Sequence, residues 1–150
     1  MKKLFVVALL FVLTLSFSSV ANAAWIDIGY EDKLIKAIYI DDDVSDEGSY
    51  CTMWVKTIYR TPLKLPYGKK SFVYVTLQAY PLQRISGSVK EVNTKRFGLI
   101  AGTHYDANNN FVASFDFTGH GINWLSIPPD TGGKFVAGYV RAIYDAKYNR

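Results

Sequence analysis

The sequence predicts an α+β fold in which a single antiparallel β-sheet of about six strands carries a C-terminal amphipathic helix on one face. Three observations support this prediction. Short runs of β-branched and aromatic residues are bounded by Gly, Asp and Pro clusters, which is typical of strands. A cluster of Asn and Asp joins two such runs, as in a β-hairpin. Near the C-terminus the apolar spacing changes to that of a helix.

The first predicted strands lie at residues 25–28, 37–40 and 50–59, each next to a turn rich in Gly or Asp. In the third strand, alternate residues form two faces. One face has Cys51, Met53, Val55 and Tyr59, and the other has Tyr50, Trp54 and Ile58. Because both faces are largely apolar, we expect this strand to be central in the sheet and covered on both sides.

A polar loop follows at residues 62–70, before a strand at 71–77 that is rich in β-branched and aromatic residues. The segments 96–105 and 111–117 are then joined by Asp106-Ala107-Asn108-Asn109-Asn110. Asn and Asp tolerate the left-handed backbone that a tight turn needs. These two segments therefore predict a β-hairpin.

The last segment of the chain is predicted to be a helix. Its apolar residues are spaced by one and three positions and form one stripe: Phe135, Val136, Tyr139, Val140, Ile143 and Tyr144. Asp130 or Thr131 can cap the free N–H groups at its start, and the helix should fray near Lys147. Because a helix of about 14 residues is marginally stable alone, the stripe must pack against the sheet.

Residues 1–23 have the layout of a secretory signal peptide: Lys2-Lys3, an apolar run from Leu4 to Leu13, and a small-residue stretch that ends in Ala21-Asn22-Ala23. We expect cleavage after this stretch, so that residues 24–150 form one exported domain without a transmembrane segment. No cysteine stands directly after the apolar run, so we expect no lipid anchor. The short basic start is typical of bacteria, and we expect the periplasm or the cell surface of a Gram-negative bacterium.

Charge and cysteine content exclude some partners and bonds. Beyond residue 23, 15 basic residues face 13 acidic ones, so the net charge is too small to predict a nucleic-acid partner. Cys51 is the only cysteine, so no intrachain disulfide can form. Because Cys51 shares a face with Met53 and Val55, we expect a buried thiol; a covalent dimer through Cys51 is the alternative.

Patterns for catalysis and metal binding are weak. There is no Gly-x-Ser-x-Gly motif, and His104 and His120 have no evident serine partner in the sequence. The spacing of His104, Asp106 and His120 is too loose to predict a metal site. The acidic run that begins at Asp41 has no glycine at its sixth place and has Thr52 in place of a glutamate at the twelfth, so it is not an EF-hand loop. We therefore expect a protein without enzymatic activity, cofactor or metal.

One cluster predicts a partner-binding surface around the loop after the central strand. Its basic side chains and interleaved tyrosines are Lys56, Tyr59, Arg60, Lys64, Tyr67, Lys69 and Lys70. The acidic run 41–48 lies at the opposite end of the same strand. Arg and Tyr are common at binding surfaces, so the cluster predicts an anionic or protein partner; a charged loop that only maintains solubility is the alternative.

Five motifs follow one another along almost the whole chain after residue 23: Trp25-x-x-Ile28-Gly29, Tyr39-Ile40-Asp41, Met53-Trp54-Val55-Lys56, Tyr105-Asp106 with Phe111-Val112, and Trp124-x-x-Ile127-Pro128. In order and spacing they resemble the surface-adhesin protein E family of small exported bacterial domains. The resemblance implies the same sheet with a C-terminal helix, and an adhesive function. Relatives carry a cysteine pair that tethers the helix to the sheet. This chain has Glu91-Val92-Asn93 and Arg141-Ala142-Ile143 there, so helix docking would depend on the apolar stripe.

The aromatic content favours a binding protein. Twenty aromatic residues follow residue 23, more than a small core needs. The function we expect first is that of a surface adhesin or host-protein-interaction protein, which contacts a host matrix or serum protein. A second copy of the chain could cover a sheet face in a homodimer. The alternative is a periplasmic carrier that holds a small molecule or lipid between the helix and the sheet.

Overall fold

Nine β-strands are followed by one helix in the described part of the chain. This computed structural model describes residues 24–149, so the signal peptide predicted for residues 1–23 lies outside the described residues. The strands are β1 (Trp25–Asp27), β2 (Ile35–Asp41), β3 (Ser45–Asp46), β4 (Tyr50–Lys64), β5 (Lys70–Ser86), β6 (Val89–Val92), β7 (Arg96–Tyr105), β8 (Phe111–Asp116) and β9 (Leu125–Ser126). A 3₁₀ turn at Pro66–Gly68 joins β4 to β5, and α1 (Gly132–Tyr148) is the last element.

The strands pair antiparallel in one sheet. Six of them form a continuous path in the order β1-β2-β4-β5-β7-β8, while β3, β6 and β9 pair with β4, β5 and β7. The predicted α+β class, antiparallel sheet and C-terminal helix are confirmed. The predicted count of about six strands is wrong, because β3, β6 and β9 have only two to four residues, too few for an alternating pattern to be recognised.

The β4–β5 hairpin is longer than the sequence pattern predicted. The loop is shorter than the expected residues 62–70, because β4 continues to Lys64, which pairs with Lys70. The register shifts in this part of β4, and the irregularity accommodates Pro62, which cannot donate a ladder hydrogen bond. Only a short turn remains between the two strands.

The core lies between α1 and one face of the sheet. Thr131, one of the two predicted caps, begins the helix, and its Oγ1 accepts the backbone N–H of Lys134 at 3.3 Å. The buried core includes the helix residues Val136, Ala137, Val140 and Tyr144 and the sheet residues Ile38, Ile40, Met53 and Val55. The prediction that the helix packs on one face of the sheet is confirmed.

The predicted helical stripe is wrong at two positions. Phe135 is 44% exposed and Tyr139 is 39% exposed. Each of them precedes a buried residue, Val136 or Val140, and therefore points about 100° away from it around the helix axis. The Phe135 ring lies 5.6 Å from the ring of Tyr30 and 5.6 Å from that of Tyr139, at the side of the helix and not in the core.

The other face of the sheet, which we call the open face, has no helix on it. Trp54 of β4 is 39% exposed there, so the expected cover on both sides is wrong, although β4 is central as predicted. One end of the open face is covered by the loop at residues 117–124, where the Trp124 ring lies 6.3 Å from the Tyr50 ring. Trp54 lies beyond this cover.

Polar contacts attach the C-terminal end of α1 to the sheet. Lys147 Nζ lies 2.6 Å from Asp43 Oδ1, and Asn149 Nδ2 donates to the Lys90 carbonyl at 2.9 Å. At the positions where the resemblance implied a disulfide, Arg141 of α1 is paired with Glu91 of β6 at 3.3 Å. The expectation that the apolar stripe alone docks the helix is therefore wrong.

Candidate functional site

The predicted partner-binding residues do not form one patch. Four of them, Lys64, Tyr67, Lys69 and Lys70, lie together at the tip of the β4–β5 hairpin and are exposed. The Tyr67 side chain is 99% exposed, and its backbone is left-handed with φ of 64°. The other three predicted residues lie elsewhere on β4 and contact other parts of the chain.

Two of those three residues are cations with partners inside the chain. Lys56 lies on the open face, where its Nζ is 5.4 Å from the centre of the Trp25 ring and 5.1 Å from that of the Tyr39 ring. These are cation–π distances. Arg60 is paired with Glu31, with 2.6 Å between Nη2 and Oε2.

The third residue, Tyr59, lies on the helix side of the sheet, where it lines a cavity. The cavity has a volume of about 380 Å³ and lies between the sheet and the N-terminal end of α1. Its apolar wall includes Tyr30, Ile35, Val55, Tyr80, Phe97 and Val136. Small-molecule sites typically have volumes of about 300–1,000 Å³, so this space, which we call the helix–sheet cavity, fits a small organic ligand.

A fixed amide is the main polar group in the wall of the helix–sheet cavity. Gln78 donates from Nε2 to Thr76 Oγ1 at 3.0 Å, and its Oε1 accepts the Tyr80 hydroxyl at 2.5 Å. An amide has two N–H donors and two acceptor lone pairs, so one of each remains. Thr57 and Thr131 add hydroxyl groups to the same wall. The cavity can therefore orient one polar group of a ligand.

The ionisable groups of the cavity make its entrance acidic. Asp32 and Asp130 are exposed lining residues, and no Lys or Arg of residues 24–149 lines the cavity. The backbone N–H of Ile35 donates to Asp32 and is the main cause that holds the pKa of this carboxyl below its usual value. The hydrogen bond from Tyr30 to Asp32, 3.0 Å long, raises the pKa of Tyr30. Burial raises the pKa of Tyr59, so its hydroxyl stays protonated at neutral pH.

A serine partner for His104 is present, although the sequence did not indicate one. Ser71 Oγ lies 2.9 Å from His104 Nδ1 and donates to the Val73 carbonyl at 3.1 Å. Because the hydroxyl proton points to Val73, the ring must donate from Nδ1, which is the reverse of what activates a serine nucleophile. Ser71 is also fully buried, so this pair stabilises the hairpin and does not present a nucleophile to a substrate.

Cys51 is fully buried on the helix side of β4, so the expectation of a buried thiol is confirmed. Burial, with a smaller effect from the charge of Asp46, raises the pKa of the thiol to about 12. The thiolate is the reactive form of cysteine, so Cys51 is inert in the folded chain.

No group of three or more His, Cys, Asp or Glu side chains within residues 24–149 is arranged to hold a metal ion. In the same part of the chain, no helix combines the length and the apolar character needed to cross a membrane. Comparison with protein-family models, curated proteins and solved structures finds no match. The resemblance to the surface-adhesin protein E family stays a prediction.

Proposed function

We propose that the chain is an exported, non-catalytic bacterial binding protein whose ligand is a small molecule held in the helix–sheet cavity. The observation that carries this proposal is a space of about 380 Å³ whose wall combines aromatic rings with one fixed amide. Well-formed apolar cavities with a few converging polar groups are the usual form of small-molecule sites.

The composition of the wall indicates the chemistry of the ligand. The rings of Tyr30, Tyr59, Tyr80 and Phe97 provide apolar contact, which supplies most of the free energy of binding in such sites. Gln78 orients a single polar group. We therefore propose a ligand with an aromatic or aliphatic body and one polar end, as a small lipid or an aromatic metabolite has.

Mass spectrometry under non-denaturing conditions and a fluorescent probe test this proposal. A ligand that copurifies should add a defined mass, and the stripped protein should bind the neutral probe N-phenyl-1-naphthylamine. Thr57→Trp places an indole in the cavity and should weaken probe binding at least tenfold. Thr103→Trp is the matched control, because Thr103 pairs with Val75 on the open face, outside the cavity. Equal probe binding by the two folded variants would reject the cavity as the site.

A protein-interaction role is the second candidate function, as a surface adhesin or in a homodimer. It is favoured by the open face, where Trp54 is 39% exposed and has Leu77 as its cross-strand neighbour. Exposed apolar patches on a sheet face commonly mark protein contacts. The resemblance to an adhesin family supports the same role.

Light scattering and binding to immobilised host matrix or serum proteins test the second candidate. If the open face is the contact, Trp54→Ser should abolish a dimer or lower adhesion at least tenfold, while Tyr139→Ser, on α1 at the other side of the sheet and equally exposed, should not. A monomer at tens of micromolar, together with adhesion that Trp54→Ser leaves unchanged, would remove the open face from consideration.

Export is part of the proposed function and needs its own measurement. A tag after Arg150 can be followed while intact cells and cells with a permeabilised outer membrane are treated with protease. Loss of the tag in intact cells would support the adhesin, whereas protection until permeabilisation would support the periplasmic carrier. A tag that stays protected until the inner membrane is lysed would contradict export.

A further inference from the structure

Three connections between strands lie at one end of the sheet. They are the β1–β2 loop at residues 28–34, the β4–β5 turn at 65–69 and the β7–β8 turn at 106–110. The antiparallel pairing of β1 with β2, β2 with β4, β4 with β5, β5 with β7 and β7 with β8 brings them to the same end. We call these connections, with the strand residues next to them, the loop end.

Each connection presents one strongly exposed apolar side chain. Leu34 is 63% exposed, Tyr67 is 99% exposed and Phe111 is 65% exposed. They are the three most exposed large hydrophobic side chains of residues 24–149, ahead of Ile85 at 55%. Single exposed apolar residues are ordinary on protein surfaces, but three on separate turns at one end of a sheet indicate a contact surface.

Contacts between the connections hold them together. Arg60 of β4 is paired with Glu31 of the β1–β2 loop at 2.6 Å. Lys69, next to the β4–β5 turn, donates from Nζ to the carbonyl of Val112 in β8 at 3.3 Å. The three apolar side chains therefore project from one joined base.

Positive charge at the loop end is concentrated on the β4–β5 hairpin, around Tyr67. Exposed cations of the loop end are Lys33, Arg60, Lys64, Lys69 and Lys70. The β1–β2 and β7–β8 connections carry carboxylates, each with a partner in the chain. Glu31 is paired with Arg60, Asp32 accepts the backbone N–H of Leu34 and Ile35, and Asp106 accepts those of Asn108 and Asn110. Along the hairpin itself, no acidic residue occurs between Gly48 and Lys90.

We propose that the loop end docks on the surface of an anionic phospholipid bilayer. Leu34, Tyr67 and Phe111 enter the boundary between headgroups and acyl chains, where aromatic residues are favoured. Lys64, Lys69 and Lys70 lie over the lipid phosphates. The proposal does not depend on the helix–sheet cavity or on its ligand.

The shape of the loop end favours a bilayer over a protein partner. A protein interface of standard size buries about 800 Å² on each side and needs a continuous complementary surface. Three apolar side chains on separate connections do not offer such a continuous surface. A fluid layer of phosphates adapts to them, and each lysine near it adds independently to affinity, by about a factor of five.

Sedimentation with phosphatidylcholine vesicles, with and without phosphatidylglycerol, tests the proposal. The purified protein should bind the anionic vesicles, should not bind the neutral ones, and should dissociate in high salt. The triple variant Lys64→Gln/Lys69→Gln/Lys70→Gln should bind about a hundredfold more weakly. Leu34→Ser, Tyr67→Ser and Phe111→Ser should each weaken vesicle binding about tenfold. Each substitution removes an apolar side chain that would leave water when the protein binds the bilayer.

Control variants lie at the opposite end of the sheet. Arg84→Gln/Lys95→Gln/Arg96→Gln removes the same number of exposed charges, and Ile85→Ser removes an exposed apolar side chain. Both should bind anionic vesicles as the unmodified protein does. Equal loss in the control triple variant would indicate nonspecific charge attraction. Bilayer docking would be overturned if the protein did not bind anionic vesicles. It would also be overturned if the lysine variant bound more weakly while the three apolar variants bound normally, and that result would identify a site for a soluble polyanion.

Discussion

The hydroxyl of Tyr144 in α1 donates a 2.7 Å hydrogen bond to the carboxylate of Asp46, which lies 98 residues earlier in β3. Asp46 also accepts the backbone N–H of Gly48 at 2.7 Å and lies 3.5 Å from Lys90 Nζ. Burial acts to raise the pKa of Asp46, but the hydrogen bonds from Tyr144 and Gly48 and the charge of Lys90 outweigh it, so the pKa is below its usual value. The ionised carboxylate of Asp46 thus joins α1 to the hairpin that β3 forms with β4.

Tyr144→Phe should lower the free energy of unfolding by about 2 kcal/mol, the usual contribution of a hydrogen bond to a charged group. Chemical denaturation followed by circular dichroism measures the loss. Tyr139→Phe is the matched control on the same helix, because Tyr139 is 39% exposed, and it should change stability by less than about 0.5 kcal/mol. Equal effects of the two substitutions would show that the bond between Tyr144 and Asp46 contributes nothing.

Sequence patterns predicted the elements whose signals are local. Thr131 was one of two candidate caps because helix starts need an oxygen acceptor, and the structure uses it. The hairpin of β7 and β8 followed from alternation around an Asn-rich turn. By contrast, periodicity wrongly predicts Phe135 and Tyr139 in the core, because it gives the spacing of apolar residues but not the width of the stripe that the sheet covers.

The candidate sites depend on contacts that no local pattern encodes. Ser71 and His104 are 33 residues apart and meet only because β5 pairs with β7. The helix–sheet cavity is lined by residues from four distant parts of the chain, such as Tyr30, Tyr59, Phe97 and Val136. Without the register of the strands, neither site could be placed.

The buried thiol of Cys51 should react with a thiol reagent only when the chain unfolds. With burial raising its pKa to about 12, almost no thiolate is present at neutral pH. Labelling followed by mass spectrometry should therefore be slow in buffer and fast in denaturant. Thr61→Cys in a Cys51→Ala background provides an exposed thiol for comparison. Rapid native labelling, or a covalent dimer on a non-reducing gel, would contradict the burial.

His104 should make stability depend on pH just below neutrality. Its ring stacks on Tyr74 with centroids 4.0 Å apart, and burial lowers its pKa below the usual 6.5. The unfolded chain therefore binds the proton first, so stability falls as pH decreases from 6.5 toward the lower pKa of the folded state. His104→Phe keeps a ring on Tyr74 but removes the titration, so its unfolding free energy should change less over this range. An unchanged slope in His104→Phe would show that His104 does not cause the pH dependence.

Two glycines should respond to alanine in opposite directions. A Cβ on Gly98 would lie 2.2 Å from Ile122 Cγ2, so Gly98→Ala must displace the loop that covers the open face. Overpacking of this kind costs about 1–3 kcal/mol, and Trp124 fluorescence should change with it. In Gly98→Ala/Ile122→Ala part of the lost stability should be recovered, because the clashing methyl group is gone.

A Cβ on Gly138 in α1 would have no neighbour within 4 Å apart from its own stretch of helix backbone. Gly138→Ala should therefore stabilise the protein by about 0.5–1 kcal/mol through helix propensity. Denaturation curves of these variants measure both effects, and a destabilising Gly138→Ala or a neutral Gly98→Ala would contradict the packing described for α1 and for the open face.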